Sequence, residues 1–411
     1  MPNLAFWSVP TKLILLKYLL SLLFLFLLNG TCNAQNTPYT LSEASEISIV
    51  TIGPGKYLYD KFGHSAFRVR DPQNNIDWAY NYGTYDFDTP NFYTKFAQGK
   101  LLYKLSVWKY VPFFELYKRE NRWVKEQVLN LSPSEKNALF HFLQNNAKPE
   151  NASYKYDFFY DNCATRIRDV LKEVLGEPLV YENNFVDESY SYRQLIQKNV
   201  HWNTWGSLGM DIAIGAVVDQ TAPAWDYQFL PNYVFEAAEN ATLVTGSNKE
   251  PLVKETKTLF QNNPNQKNSS FFTSPIFVFG IIALLILFFT VKDFRNKTRS
   301  RYLDALLFVT TGLIGIVLLL LWFATDHSST VANYNLLWAF PISIFLSVAI
   351  AKKTPKKWLR NYLVFLLIMM ALLTLHSITG VQEFAPALIP LFVALVVRYL
   401  YVMQYIKTTA L

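Results

Sequence analysis

The chain has 411 residues, of which 51% are hydrophobic and 16% aromatic, so it is too apolar for a single soluble domain. Its first two thirds are too polar for a protein made only of membrane spans, which predicts two parts. The formal net charge of +7 does not indicate a nucleic-acid partner, because much of it lies in loops between apolar runs.

The N-terminus has the order of features found in a secretory signal. Lysines precede an apolar run over 18–28, and the small-residue stretch 31–34 follows it. This order predicts a signal peptide over 1–34 that is cleaved at its end, with an uncleaved anchor as the alternative. Cys32 then leaves with the signal, because residues 29–31 make a poor site for lipoprotein processing.

Residues 35–245 alternate between short apolar runs and turn residues, which predicts an α+β domain of short strands and a few helices. Its clearest element is a β-hairpin, with strands over 62–70 and 76–83 joined by the turn 71–75. This hairpin is the part of the domain whose faces can be assigned from the sequence.

The alternation of side chains assigns those two faces. If Arg70 faces Asp77, then Phe67 lies opposite Tyr80. The apolar face, which we expect to meet the core, carries Phe67, Val69, Trp78, Tyr80 and Tyr82. The other face carries His64, Ala66, Arg68, Asp77, Ala79 and Asn81. The histidine and the asparagine then become diagonal neighbours across the strand pair, in the relation of a base and the group that orients it.

Residues 91–126 are rich in both cations and aromatic rings. They hold eight Lys or Arg against three Glu, interleaved with Phe, Tyr and Trp. Such a mixture is typical of nucleic-acid binding or of a membrane interface, and export past the membrane argues against nucleic acid. We interpret the segment as lying at the lipid headgroups, with a plain amphipathic surface as the alternative.

Cys163 stands where a helix is predicted to begin. Asp161 or Asn162 is a natural N-cap, apolar residues follow at helical spacing, and Gly176 is a natural stop. In the first turn, backbone N–H groups and the positive end of the helix dipole favour a thiolate. A lone thiol in an exported domain therefore indicates a nucleophile, and the alternative is a small buried apolar residue.

Nucleophilic cysteine catalysis needs a thiolate, an imidazole that moves the proton and a polar group that fixes the imidazole tautomer. Cys163, His64 and Asn81 supply these three roles. His141 lies among apolar residues of a predicted helix and is interpreted as structural. His201 is the alternative base, with no strand argument behind it.

The last third of the chain has the pattern of a membrane domain. Residues 246–270 are polar, which predicts a linker, and five apolar runs within 271–408 predict five transmembrane helices. Lys and Arg crowd the first and third loops between the runs and do not occur in the second and fourth. The positive-inside rule therefore places the second and fourth loops on the outer face, together with the N-terminal domain.

Asp326 and His327 lie side by side in the second of these loops. A carboxylate and an imidazole there could hold a substrate amine or headgroup, or could cap two helices. The sequence contains no metal cluster, phosphate loop or nucleotide fingerprint, so no cofactor is expected.

The order of a histidine strand and, about a hundred residues later, an Asn-Cys helix start resembles the permuted papain-like fold. More closely, three stretches together resemble the Lnb-type lipoprotein N-acyltransferases of Bacteroidota: 62–69, 77–84 and 160–166. The similarity covers nearly the whole mature chain. It implies that Cys163 and His64 are the catalytic pair, whereas Asn81 as the third member rests on the hairpin register.

The resemblance implies an acyltransferase of the bacterial inner membrane with its catalytic domain in the periplasm. Its donor would be a phospholipid, and its acceptor would be the α-amine of a diacylglyceryl-cysteine lipoprotein. We assign substrate binding to Asn162, Arg166, Asp326 and His327. The same Cys-His pair would serve a membrane-tethered cysteine peptidase or amidase acting on cell-wall peptides, which is the alternative function, and a non-enzymatic scaffold is a further alternative.

Overall fold

The computed structural model describes residues 39–263 and 271–409. The predicted signal peptide over 1–34 lies outside the described residues. Within them, a sheet-rich domain is followed by a set of long apolar helices, which agrees with the predicted division of the chain into an α+β part and an all-α part.

In the described part of the chain, seven strands form one antiparallel sheet in the order β10-β5-β1-β2-β3-β4-β6. They are β1 Glu46–Ile52, β2 His64–Asp71, β3 Ile76–Thr84, β4 Leu102–Lys109, β5 Val124–Leu129, β6 Ser153–Lys155 and β10 Val253–Phe260. A small second sheet consists of β7 Leu179–Val180, β8 Thr242–Thr245 and β9 Asn248–Pro251. The large sheet is the platform for the predicted hairpin, since β2 and β3 lie near its centre.

Eight α-helices belong to the described part of this domain: α1 Phe92–Ala97, α2 Tyr110–Arg119, α3 Pro133–Asn146, α4 Cys163–Leu175, α5 Tyr192–Gln197, α6 Trp205–Ala213, α7 Ala224–Tyr227 and α8 Pro231–Asn240. Helices α3 and α4 pack on one face of the sheet and build the main apolar core. Helix α2 packs on the opposite face. The sheet is therefore covered on both sides.

The hairpin has the register that the sequence predicts. Arg70 pairs with Asp77, and Phe67 pairs with Tyr80. The predicted core face is confirmed, because Phe67, Val69, Tyr80 and Tyr82 belong to the main core cluster and Trp78 packs against it. The second face is covered as well, since Ala66 packs with the aromatic side chains of α2. His64 and Asn81 thus lie in a protein interface rather than on an open surface.

The prediction that residues 246–270 form a linker is wrong for the first half of this range. Asn248–Pro251 pairs with β8, and Val253–Phe260 pairs with β5 at the edge of the large sheet. An edge strand tolerates charged, exposed side chains, so its composition resembles that of a linker. Residues 264–270 lie outside the described residues.

Five segments within 39–263 and 271–409 are long and apolar enough to cross a membrane, as predicted: Pro275–Asn296, Arg301–Phe323, Ser328–Ile350, Trp358–Ile378 and Pro386–Thr409. Their α-helices are α9 Pro275–Asn296, α10 Arg301–Phe323, α11 Ile342–Ile350, α12 Trp358–Ile378 and α13 Ile389–Thr409. The third segment differs from the others, because α11 has only 9 residues and two 3-10 turns precede it.

The second and fourth loops between these segments contact the sheet domain. In the second loop, the Asp326 N–H donates to the Gln98 carbonyl at 2.8 Å. In the fourth loop, the Glu383 N–H donates to Asp219 at 3.2 Å. These are the two loops that lack Lys and Arg, so the charge pattern and the contacts agree on which ends of the helices face the domain.

Candidate active site

Helix α4 presents Cys163 at its first position. Asn162 is the N-cap, and its side-chain oxygen accepts hydrogen bonds from the N–H groups of Ala164 (2.7 Å) and Thr165 (3.0 Å). Thr165 completes a capping box by accepting from the Asn162 N–H, and Gly176 ends the helix with a φ of 67°. The predicted helix start and stop are confirmed, and the cap leaves the Cys163 N–H as the first-turn donor next to the sulfur.

His64 and Asn81 form the pair that the hairpin register predicts. The His64 Nε2 lies 2.6 Å from the Asn81 Oδ1. Because an amide oxygen only accepts hydrogen bonds, this contact puts the ring hydrogen on Nε2 and leaves Nδ1 with a free lone pair. The tautomer is therefore the one in which Nδ1 can serve as the base.

Cys163 and His64 line the same cavity, which has a volume of about 690 Å³. The backbone N–H groups of Ser65, Cys163 and Ala164 are directed at the Cys163 sulfur and lower the pKa of its thiol. Ser65 is the residue that follows His64 in β2. Much of the wall is apolar and includes Leu58, Phe62, Phe96, Leu101, Phe158, Met210 and Phe229. A nucleophile and a base thus share a cavity that suits a hydrocarbon chain.

Gly83 lets β3 pass close to the thiol. Its φ is 88°, and a Cβ at this position would lie 3.4 Å from the Cys163 Cβ. The sheet register shifts between Asn81 and Thr84, so the strand is irregular at this point. The irregularity brings the orienting asparagine and the cysteine helix into one small region.

Burial governs the protonation of both reactive groups. Burial raises the pKa of the Cys163 thiol to about 11, although the neighbouring N–H groups and the Arg122 charge lower it. Burial also lowers the pKa of His64 to about 4, against the hydrogen bond to Asn81 that raises it. The thiolate expected at the helix N-terminus is therefore not the resting form. The pair rests as neutral thiol and neutral imidazole, because the surrounding protein disfavours both charges.

This protonation predicts a steep pH dependence for alkylation of Cys163. The rate of iodoacetamide labelling should rise about tenfold per pH unit between about pH 6 and 9, because the thiolate fraction grows until the pH reaches the pKa near 11. Peptide mass spectrometry of Cys163 measures the rate at each pH. A rate that stays constant over this range would show a preformed thiolate.

The second loop reaches the same cavity. Asp326 and His327 both line it, as do Ser328 and Ser329. Asp326 is paired with Lys155 at 2.7 Å, and this ammonium lowers the pKa of Asp326. The His327 Nε2 lies 3.2 Å from the Ala97 carbonyl oxygen. The structure thus brings both predicted residues to the cavity, where each also ties the membrane domain to the sheet domain.

The two predicted binding residues on the cysteine helix have structural partners. Asn162 lines the cavity, but its amide is used by the cap and by donation to Phe158 (2.6 Å) and Phe229 (2.9 Å). Arg166 does not line this cavity; it pairs with Asp161 and lies over the Tyr154 ring at 4.2 Å. Their predicted roles in substrate binding are not supported by these contacts.

Asn162→Ala is expected to destabilise the domain by about 2 kcal/mol or more, because it removes a helix cap and the side-chain donor to the Phe158 and Phe229 carbonyls. Thermal unfolding of the purified protein measures the loss. Ser132→Ala is the matched control, since Ser132 caps α3 through the same kind of capping box and faces solvent. An equal effect of the two variants would contradict a special role of Asn162.

The cavity residues that were not predicted as site residues include Asp60, Tyr117 and Arg122. The Tyr117 ring centroid lies 6.0 Å from that of His64, and the Arg122 Cζ lies 4.9 Å from the Tyr117 ring. Arg122 falls in the basic and aromatic segment 91–126, where its surroundings in sequence do not separate it from the other cations.

His201, the alternative base, does not line the cavity, and its Nδ1 accepts from the Asn203 N–H at 3.2 Å.

Two family descriptions match the chain. The Lnb N-terminal periplasmic domain matches residues 34–198, and the Lnb transmembrane domain matches residues 266–409. The chain belongs to the Lnb family. Comparison with curated proteins and with solved structures gave no match.

Membership in the Lnb family makes this chain a multi-pass membrane protein with a periplasmic domain, and it supports an enzyme that processes lipoproteins. The likeness to the permuted papain-like fold stays a prediction. Among the residues at 39–263 and 271–409, no cluster of three or more His, Cys, Asp or Glu is arranged to hold a metal ion.

Proposed function

We propose that this Lnb-family protein is a lipoprotein N-acyltransferase of the bacterial inner membrane. It moves a fatty acyl chain from a phospholipid to Cys163 and then to the α-amine of a diacylglyceryl-cysteine lipoprotein. The observation that carries the proposal is that Cys163, His64 and the loop between the second and third membrane segments line one largely apolar cavity.

The first step forms a thioester. The Cys163 sulfur attacks an ester carbonyl of the phospholipid while His64 takes the thiol proton, so the ion pair forms during the attack rather than before it. The Cys163 N–H stabilises the oxyanion. The carbon–oxygen bond then breaks, His64 returns the proton to the glycerol oxygen, and lysophospholipid leaves.

The second step transfers the acyl chain to nitrogen. A neutral amine attacks the thioester carbonyl, a carbon–nitrogen bond forms and the carbon–sulfur bond breaks. His64 moves the amine proton to the departing sulfur, which restores the resting thiol and imidazole. No ATP is needed. The acyl group starts as an ester, passes through the thioester and ends as an amide, which is the most stable of the three.

Two features favour a lipid substrate over a cell-wall peptide. The cavity contains residues from the membrane domain as well as from the sheet domain, and its wall is mainly apolar. A peptidase that uses its helices only as a tether would not need five apolar segments or their loops in the catalytic cavity. The peptidase or amidase therefore remains the second candidate.

A reconstitution experiment tests the proposal. The full-length protein is incubated in vesicles with phosphatidylethanolamine and a synthetic diacylglyceryl-cysteine peptide. Mass spectrometry should show one added acyl chain on the peptide nitrogen and one lysophospholipid for each chain transferred. Cleavage of a cell-wall peptide by the same preparation, without acyl transfer, would decide for the rival function.

A further inference from the structure

Arg122 carries a buried guanidinium with incomplete protein contacts. The residue is 4% exposed. Its Nε donates to the Gly53 carbonyl at 2.8 Å, and its Nη1 donates to Glu120 at 3.2 Å. Its Nη2 is buried and has no hydrogen-bond partner among the described residues. A buried donor without an acceptor is destabilising, and more so when it is charged, so such a group points to a missing ligand.

The guanidinium lies in the wall of the thiol cavity. Arg122 lines that cavity together with His64 and Cys163 and stacks on the ring of Tyr117. Its position is fixed because the neighbouring Trp123 carbonyl accepts from the Gly53 N–H at 2.8 Å, which joins the ends of β1 and β5. Arg122 is therefore held rigidly beside the reactive pair.

In the described part of the chain, no carboxylate of the cavity hydrogen-bonds the Nη2 of Arg122. Glu120 contacts the guanidinium, but its side chain is 42% exposed, so solvent weakens the pair. Asp60 also lines the cavity, and in the described ranges it forms no ion pair with Arg122. Burial raises the pKa of Asp60, whereas the charge of Arg122 lowers it. Among the described residues, the Nη2 of Arg122 is therefore the guanidinium nitrogen left for a ligand, in a cavity whose lining also includes the carboxylates of Asp157 and Asp326.

We propose that Arg122 binds the phosphodiester of the glycerophospholipid donor and thereby places its ester carbonyl at the Cys163 sulfur. The guanidinium fork matches the oxygens of a phosphate, and the glycerol joins phosphate and ester within a few bonds. The acceptor reacts through an amine. A protonated amine is a cation, so the guanidinium would repel it. Arg122 is therefore the residue that selects a phospholipid over a diacylglycerol as donor. This inference rests on the proposed function, because it names the donor contact of the same site.

Protection of the thiol measures occupation of this cavity without any acyl transfer. The full-length protein in detergent is labelled with N-ethylmaleimide, and the modification of Cys163 is followed by peptide mass spectrometry. A dialkyl ether phospholipid, which has no ester to transfer, is compared with a dialkylglycerol and with inorganic phosphate. For the wild-type protein, the ether phospholipid should protect Cys163 at a concentration at least tenfold lower than the dialkylglycerol, and inorganic phosphate should not protect it.

Variants of Arg122 test the residue itself. In Arg122→Gln, half-protection by the ether phospholipid should need at least tenfold more lipid, while protection by the dialkylglycerol should change less than twofold. Arg122→Lys should lie between, because it keeps the charge and loses the fork. Arg119→Gln is the matched control, since Arg119 is exposed on α2 and should behave as wild type.

Three results would overturn the inference. These are equal protection of the wild-type protein by the two lipids, protection by inorganic phosphate alone, and unchanged protection in a folded Arg122→Gln protein. The wild-type comparison decides even if the variant does not fold. Failure of the proposed function is recognised separately, because Cys163 would then be protected by the ether phospholipid but would never become acylated by its diester counterpart.

Discussion

Cells that carry Cys163→Ala in place of the wild-type protein are expected to make lipoproteins without the N-linked acyl chain. The thioester cannot form without the sulfur, so transfer by the purified variant should fall at least about a thousandfold. Mass spectrometry of a lipoprotein N-terminus measures the result as the loss of one acyl chain. The remaining diacylglyceryl group should be unaffected, because it is the acceptor and not the product.

Cys163→Ser is the companion variant. It keeps the size of the side chain and replaces the thiol by a hydroxyl, which the neutral His64 activates poorly. Both variants should unfold at the wild-type temperature, because the N-cap contacts of Asn162 do not involve the sulfur. A normal triacylated N-terminus in cells with either stable variant would exclude Cys163 as the nucleophile.

His64→Ala is expected to lower kcat/KM for acyl transfer by roughly 10²–10⁴-fold, which is the range for loss of a general acid and base. In the wild-type protein the base must be neutral, and burial lowers the pKa of His64 to about 4. Activity should therefore persist as the pH falls through about 6.5 and be lost only towards pH 4. Initial rates of lysophospholipid release across this range provide the measurement.

His201→Ala is the control for His64→Ala. His201 is also a candidate base in the sequence, but it does not line the thiol cavity and should be replaceable with less than a twofold change in rate. A large loss in His201→Ala with little loss in His64→Ala would reverse the assignment. A wild-type rate that falls with a midpoint near pH 6.5 would contradict the burial of His64.

The local structure around both reactive residues could be predicted because each is set by short-range rules. The strict alternation of β2 and β3 assigns Phe67 and Tyr80 to the core, and this forces His64 and Asn81 onto the other face. The helix start at Cys163 follows from the capping chemistry of Asn162. The distribution of Lys and Arg likewise gives the side on which the membrane loops meet the domain.

Features that depend on distant parts of the chain could not be predicted. The edge strand β10 is polar because one side of it faces solvent, and only its pairing with β5 distinguishes it from a linker. The pKa of Cys163 depends on how deeply helix α2 and the loops enclose the sulfur, and this enclosure outweighs the helix N-terminus. Arg122 stands among many cations in sequence and is distinguished by its burial and by an Nη2 that has no hydrogen-bond partner within the residues that the structure describes.

The most direct test of the account is the mass of Cys163 after the purified protein has met phospholipid alone, without an acceptor. A peptide containing Cys163 should gain the mass of one acyl chain, neutral hydroxylamine should remove this chain, and His64→Ala should slow its appearance. Lysophospholipid should be released in equal amount. An unmodified Cys163 in a protein that still acylates the acceptor peptide would contradict the account, because the chain would then reach nitrogen without passing through the sulfur.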